Sequence, residues 1–190
     1  MEEYLAASPY IDVQHPNIQK KAKQLSLNLS RDEDIAKQCF EFVRDEIKHS
    51  WDYQLNPVTC KASDVLQHGT GYCYAKSHLL AALLRANGIP AALCYQRLTI
   101  SNDQPPFCLH GINAIYLNDH GWYKADARGN KEGVDAQFTP PQEQLAFQLI
   151  SHGEKDIEGR FSHPLENIVS ALTQHHTFMD VANHLPDITP

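Results

Sequence analysis

The chain has 190 residues, 42% of them hydrophobic and 21% charged, which is enough for one compact domain with a substantial core. Its formal net charge is -7 and its basic residues are scattered, which argues against nucleic acid as a partner. No stretch approaches the roughly 20 apolar residues that span a membrane, and the first residues include acids rather than a cationic leader. We therefore expect a single domain over residues 1–190, soluble and cytoplasmic, without a nucleic-acid or membrane partner.

The cysteines are spread along the chain without a Cys-x-x-Cys pair. Their odd number and wide, irregular spacing argue against a disulfide framework and against a structural zinc site. We expect reduced thiols and no metal or other cofactor, and a free cysteine is by default a small buried apolar residue. The five cysteines are Cys39, Cys60, Cys73, Cys94 and Cys108.

The first half of the chain predicts two helices. Ser30 followed by Glu33 has the spacing of a capping box, and the apolar residues after it recur at helical intervals, which predicts an amphipathic helix over 31–49. A second, buried helix is predicted over 73–86, because an apolar face of small and large residues ends just before Gly88.

The second half of the chain predicts an antiparallel sheet. Strand-like runs lie at 92–100, 110–117 and 122–127, and turn-forming residues join the last two. Helices followed by an antiparallel sheet make this an α+β domain.

The residues after the sheet carry weaker signals. A helix is predicted around 142–150, and we expect about the last twenty residues to be poorly ordered. His175, His176 and His184 lie in this tail without acids or cysteines at ligand spacing, so a solvated tail is a better interpretation than a metal site.

Cys73 differs from the other cysteines because it follows Gly69 and Gly71 and begins the second predicted helix. Its side chain would lie among unpaired backbone N–H groups, at the positive end of the helix dipole. That environment favours the thiolate, which is the reactive form of cysteine. Gly71 lets the backbone approach closely, which suits an oxyanion hole built from backbone amides. We therefore interpret Cys73 as a nucleophile.

A cysteine nucleophile needs a base and a group that orients the base, and eleven histidines offer many candidates. His78 lies well around the same helix from Cys73, and His68 lies in the preceding loop, so neither is well placed. His110 opens a predicted strand, where a rigid element could hold its imidazole against the helix start. Asp126, at the end of the neighbouring strand, would then orient the imidazole.

This pairing makes a prediction about the hairpin between the two strands. Side chains alternate faces along a strand, and His110 and Asp126 are both even-numbered, so they share a face only if the loop has an odd number of residues. A three-residue loop that uses a left-handed residue such as Gly121, or one bulge in the ladder, would satisfy this condition. We predict that one of these features is present.

These residues carry a resemblance to a known family. The run GTGYCYAKSHLLAALLRANGIPA, then His110 at a strand start, then Asp126 within WYKADARGN, resembles the core of the transglutaminase-like superfamily over roughly residues 30–140. The segment 141–190 would then be a C-terminal extension. By this resemblance the fold is papain-like, with a nucleophile at a helix start packed on an antiparallel sheet, and the triad is Cys, His and Asp in that chain order.

The resemblance implies a chemistry as well. Cys73 would attack an amide carbonyl of a peptide or protein substrate, His110 would act as base and acid, and Asp126 would hold the His110 tautomer. The resulting thioester would be resolved by water or by an amine acceptor, without a metal. The chain lacks the length and the acidic calcium loop of the large cross-linking members and the paired Cys-x-x-Cys motifs of the deglycosylating members, which favours a small hydrolase.

Three further residues are candidates for the site. Gln67 precedes Cys73 at the kind of position from which papain-like proteases supply an oxyanion-hole amide, although an exposed loop glutamine is an equal alternative. Trp51 and Tyr53 could line a substrate groove or pack at the rim of the core.

Two function classes remain open from the sequence. One is an active cysteine hydrolase or acyltransferase, either a peptidase or amidase or a protein-glutamine transamidase. The other is a catalytically silent peptide- or protein-binding module with the same fold. The reactivity of Cys73 separates them, because binding alone does not require a thiolate.

Overall fold

The computed structural model describes residues 1–101 and 104–188, in which a helical half precedes a mainly antiparallel sheet. The α-helices are α1 (Pro16–Leu25), α2 (Asp32–Glu46), α3 (Ser50–Tyr53), α4 (Ala62–His68), α5 (Cys73–Ala86), α6 (Glu166–Gln174) and α7 (Phe178–Asn183). The strands are β1 (Lys48–His49), β2 (Thr70–Gly71), β3 (Ala91–Ser101), β4 (Gln104–Leu117), β5 (Gly121–Ala125), β6 (Gln137–Thr139), β7 (Gln142–Gln144) and β8 (Lys155–Asp156). The α+β prediction is confirmed.

Helix α5 is the centre of the fold and is buried along almost its whole length. It packs against α1, α2 and α4 on one side and against β3 and β4 on the other. The helix carries polar side chains into this core, and backbone carbonyls accept their hydrogen bonds. Lys76 donates to Ile47, and Arg85 donates to Ala91 with both Nε and Nη2. Such pairing is what makes the burial of polar groups tolerable.

The main sheet has the strand order β5-β4-β3-β8 and holds the predicted hairpin. Leu117 pairs with Gly121, so three residues connect β4 to β5, and Gly121 has a left-handed φ of 73°. The predicted three-residue loop is therefore confirmed. The register places His110 and Asp126 on the same face, since 126 falls opposite 112 when the β4–β5 pairing is continued by one residue.

Helix α2 is shorter than the predicted helix over 31–49. Its N-cap is Arg31, which makes no side-chain cap bond, so the predicted capping box is wrong. The helix stops at Glu46 because the next residues form β1, which pairs in parallel with β2. Backbone hydrogen bonding to a distant segment replaces the last helical turn.

The predicted helix over 142–150 is also wrong. Residues 142–144 form β7, which pairs with β6, and no helix follows before α6. Leu145 packs against the smaller hydrophobic cluster, and Ala146 and Phe147 line the site described below, whereas Leu149 and Ile150 are exposed. The backbone N–H of Ala146 donates to the carboxylate of Asp126, a bond that a helix would have used internally.

The C-terminal residues fold onto the core, contrary to the expectation of a poorly ordered tail. Leu172 and Val181 are buried in the main hydrophobic cluster. Arg97 on β3 forms an ion pair with Asp187, with 2.6 Å between Nη2 and Oδ2. The expectation is therefore wrong over 171–188, and its last two residues lie outside the described ranges.

The tail histidines make local contacts. His175 and His184 stack with ring centroids 4.5 Å apart. Within 1–101 and 104–188, no three His, Cys, Asp or Glu side chains come together as a metal site. None of the helices in these ranges is long and apolar enough to cross a membrane.

Candidate active site

Cys73 is the first residue of α5, directly after the N-cap Tyr72. Its side chain therefore lies at the end of the helix where backbone N–H groups have no intrahelical partner. The backbone N–H of Gly111 on β4 donates to the Cys73 Sγ at 3.4 Å. Glycine suits this contact, because a Cβ at Gly111 would lie 3.0 Å from the Cα of Tyr74, which is a tight approach to backbone. The strand and the helix start thus meet at the sulfur.

His110 is the neighbour of Gly111 on β4 and is buried beside Cys73. Its Nε2–H donates to the Asp126 Oδ2 at 2.7 Å, which leaves the other ring nitrogen for the thiol. Burial by itself lowers the pKa of His110, but the Asp126 carboxylate and the Cys73 sulfur more than offset burial and raise that pKa above its ordinary value. The raised pKa favours an imidazolium next to the sulfur.

Asp126 is fully buried just beyond β5, and its hydrogen-bond partners among the described residues are donors. Besides His110, the backbone N–H groups of Arg128 and Ala146 donate to it, each at 3.1 Å. Burial raises the pKa of Asp126, but the charge of His110 and these hydrogen bonds outweigh burial and lower it. The residue is therefore a fixed carboxylate aimed at the imidazole. The contact from Ala146 has no signal in local sequence patterns.

A cavity of about 730 Å³ opens over Cys73, and we call it the Cys73 cleft. Its lining is mixed: Leu98, Leu109 and Phe147 are among its apolar residues, and Arg128 is among its polar ones. The ring of Phe147 packs edge-on against that of His110, with centroids 5.1 Å apart. The cleft is large enough for an extended peptide segment or a bulky side chain.

The three further predicted site residues are placed differently from one another. Trp51 lines the Cys73 cleft, as expected of a groove residue. Tyr53 does not line it but faces a neighbouring cavity of about 420 Å³. Gln67 is exposed on α4 and does not line the cleft, so the structure does not bring it together with Cys73. The reason is that α4 turns its last residues toward solvent.

The other cysteines occupy apolar surroundings that suppress their ionisation. Burial raises the pKa of Cys39, Cys60 and Cys108 to about 12 and that of Cys94 to about 11. All are free thiols. Cys94 is buried as expected, whereas Cys108 is only partly buried and lines the Cys73 cleft. Cys73 is therefore set apart by its position at a helix start beside His110.

Two residues that sequence reasoning did not assign also border the cleft. Arg128 pairs with Asp52 through both of its Nη atoms, at 2.6 and 3.0 Å, which ties the segment after β5 to α3. His49, at the end of β1, lines the cleft together with Cys73. The position of Arg128, two residues after Asp126, is a sequence signal that it lies near the site. His49 has no such signal, because it is one of eleven histidines.

The sequence profile of the transglutaminase-like superfamily matches residues 19–127, more than half of the chain. The chain belongs to the transglutaminase-like superfamily. The match covers the three residues of the predicted triad and most of α1, which precedes the region on which the resemblance was based.

Solved structures are similar to parts of this superfamily member. A candidate cysteine protease from Cytophaga hutchinsonii matches it with a TM-score of 0.53 and 23% identity, covering 66% of this chain and 40% of that protein. The periplasmic domain of TgpA from Pseudomonas aeruginosa gives a TM-score of 0.48 and 19% identity, covering 65% of this chain and 45% of that domain. The chain thus aligns with less than half of either structure. A comparison with curated proteins found no match.

Proposed function

We propose that this protein is a cysteine-dependent hydrolase or acyltransferase that acts on a peptide or side-chain amide, with Cys73, His110 and Asp126 as its triad. One observation carries the proposal: His110 lies between the buried Asp126 carboxylate and the Cys73 sulfur, at the floor of a cleft that can hold a substrate. An imidazolium and thiolate pair formed there would be ready for nucleophilic attack.

The first half of the reaction transfers the acyl group to the sulfur. The Cys73 thiolate attacks the amide carbonyl carbon and forms a C–S bond, while the carbonyl electron pair moves to oxygen. The backbone N–H of Cys73, at the first position of α5, is available to that oxyanion. The C–N bond then breaks, the His110 imidazolium gives its proton to the leaving amine or ammonia, and a thioester remains.

The second half regenerates the enzyme. His110, now neutral, removes a proton from water as the water oxygen attacks the thioester carbon. The C–S bond breaks, a carboxylic acid leaves, and the thiolate and imidazolium are restored. An amine could replace water as the acceptor, and the same proton transfers would then give a new amide. We propose water as the acceptor because the chain lacks the acidic calcium loop of the large cross-linking members.

Alkylation by iodoacetamide tests the triad without knowledge of the substrate. We expect Cys73 to be alkylated fastest near neutral pH, because burial raises the pKa of each of the other four thiols. A His110→Ala variant should lose this advantage, since the thiolate then has no imidazolium partner. Peptide mass mapping after timed exposure measures the rate at each cysteine.

Acylation by p-nitrophenyl acetate extends the test to the proposed reaction. A burst of p-nitrophenolate with an acetyl group on Cys73 is expected for the native protein and not for Cys73→Ser. If Cys73 reacts no faster than an ordinary thiol in either assay, the enzyme proposal fails and the silent peptide-binding module becomes the better account.

A further inference from the structure

His49 is a buried polar residue that the proposed triad does not use. It is 7% exposed, and its Nδ1 has no hydrogen-bond partner among the described residues. A buried nitrogen without a partner is costly, so its presence beside a reactive cysteine calls for an explanation.

The chain brings His49 to Cys73 through the short parallel pair. His49 in β1 lies opposite Gly71 in β2, only two residues before Cys73. Its ring packs edge-on against the ring of Tyr72, the residue that precedes the cysteine, with centroids 5.5 Å apart. The side chain lines the Cys73 cleft. His49 is thus held against the start of α5, where an oxyanion would form.

The surroundings of His49 favour a neutral ring. Burial, followed by the charge of Arg128, lowers the pKa of His49 well below its ordinary value, although Asp52 acts in the opposite direction. The Nδ1 is 3.8 Å from the Asp52 Oδ2, which is too long for a hydrogen bond. Asp52 is already bound by Arg128 and Lys131. The neutral ring therefore keeps one N–H donor, for which the described residues supply no acceptor.

We propose that His49 supplies the side-chain donor of the oxyanion hole at Cys73, presenting its Nε2–H to the substrate oxygen beside the backbone N–H of Cys73. Nδ1 is enclosed, so the ring edge that carries Nε2 is the one that can face the cleft. A neutral imidazole donor stabilises a developing oxyanion without a proton transfer. The assignment rests on the proposed function. In it His49, rather than the exposed Gln67, is the side-chain donor of the oxyanion hole.

Two probes separate oxyanion binding from thiolate reactivity. Iodoacetamide is attacked at a saturated carbon and forms no oxyanion, whereas p-nitrophenyl acetate reacts through one. We expect His49→Ala to slow acetylation of Cys73 roughly 100-fold while leaving its alkylation rate unchanged. His49→Gln should restore most of the acetylation rate, because its amide nitrogen can lie near the position of the imidazole Nε2.

His78 offers a matched control. It is also a fully buried histidine with an unpaired ring nitrogen, but its Nδ1 bonds the carbonyl of Cys60, away from the cleft. His78→Asn keeps an N–H near that carbonyl and should leave both rates unchanged. A thermal unfolding curve for each variant checks that the protein is folded at the assay temperature.

The outcomes distinguish the two proposals. If native Cys73 is acetylated and His49→Ala is acetylated equally fast, the His49 assignment is overturned and the proposed function stands. An equal loss of alkylation and acetylation in His49→Ala also overturns the assignment, since it shows an effect on the thiolate itself. If native Cys73 is not acetylated at all, the proposed function falls and the His49 assignment falls with it.

Discussion

Asp126 shows how individual contacts define the charge state of the site. Its oxygens accept from the imidazole of His110 and from two backbone N–H groups, so the carboxylate is surrounded by donors. If the carboxyl group were protonated, its O–H would face one of these N–H donors and that hydrogen bond would be lost. The residue is thus suited to remain ionised and to keep His110 protonated next to Cys73.

An Asp126→Asn variant tests this role. We expect slower alkylation of Cys73, about tenfold or more, and a lower pKa of His110, because the carboxylate charge that raises that pKa is gone. The side-chain amide of the variant would also point its NH₂ group at a backbone N–H that the carboxylate accepts from in the native protein. We expect this to lower the free energy of unfolding by about 1–3 kcal/mol. Timed mass mapping and NMR titration of the His110 ring measure the two effects.

The matched control is Asp156→Asn on β8. Asp156 is exposed and pairs with Lys124 at the surface, so its loss should affect neither measurement. An unchanged His110 pKa in Asp126→Asn would contradict the role given to the carboxylate.

At the scale of elements, the contact between β4 and the start of α5 positions the triad. Gly111 touches the backbone of Tyr74 so closely that an added Cβ would lie 3.0 to 3.2 Å from three of its atoms. The distance between the strand and the helix is therefore set by the missing side chain. His110 and Cys73 are carried by the residues next to this contact.

A Gly111→Ala variant should push the strand from the helix. We expect a loss of about 1–3 kcal/mol in the free energy of unfolding, as for other overpacked sites, together with slower alkylation of Cys73. Urea denaturation and timed alkylation measure the two effects.

Gly88→Ala separates this contact from ordinary backbone strain. Gly88 has a φ of 74°, but an added Cβ there would have nothing within 4 Å. The Gly88→Ala variant should therefore lose stability without a change in the alkylation rate of Cys73. Normal alkylation in Gly111→Ala would show that the contact does not position the triad.

At the scale of the whole molecule, buried histidines make stability depend on pH. Burial lowers the pKa of His78 from 6.5 to about 4, so the folded state resists a proton that the unfolded state accepts. The stability that His78 contributes is fully present above pH 6.5 and is lost as the pH falls toward 4. His49 acts in the same direction. His110, whose pKa is raised, is protonated in both states below pH 6.5 and adds little slope there.

We therefore expect the free energy of unfolding to fall between pH 6.5 and 4, with His78 accounting for about 3 kcal/mol. The His78→Asn variant should show a shallower fall over this window, because asparagine does not titrate. Urea denaturation at a series of pH values measures the slope. Equal slopes in the native protein and the variant would contradict this account.

Features that depend on local patterns could be predicted from the sequence. Helix α5 follows from an apolar run that ends at a glycine, and the three-residue hairpin loop followed from the requirement that His110 and Asp126 share a face. The order of Cys73, His110 and Asp126 along the chain carried the family resemblance. Periodicity and turn chemistry act over a few residues, so they can be read without a structure.

Features that depend on distant partners could not be predicted from local sequence patterns. His49 reaches the cleft because β1 pairs with β2 across some twenty intervening residues, and this pairing also ends α2 early. The segment after β7 is not helical because the N–H of Ala146 is bound by Asp126. The C-terminal residues are ordered because they pack on a core formed elsewhere. Hydrogen bonds and burial between remote segments outweigh local propensity, and no local pattern specifies them.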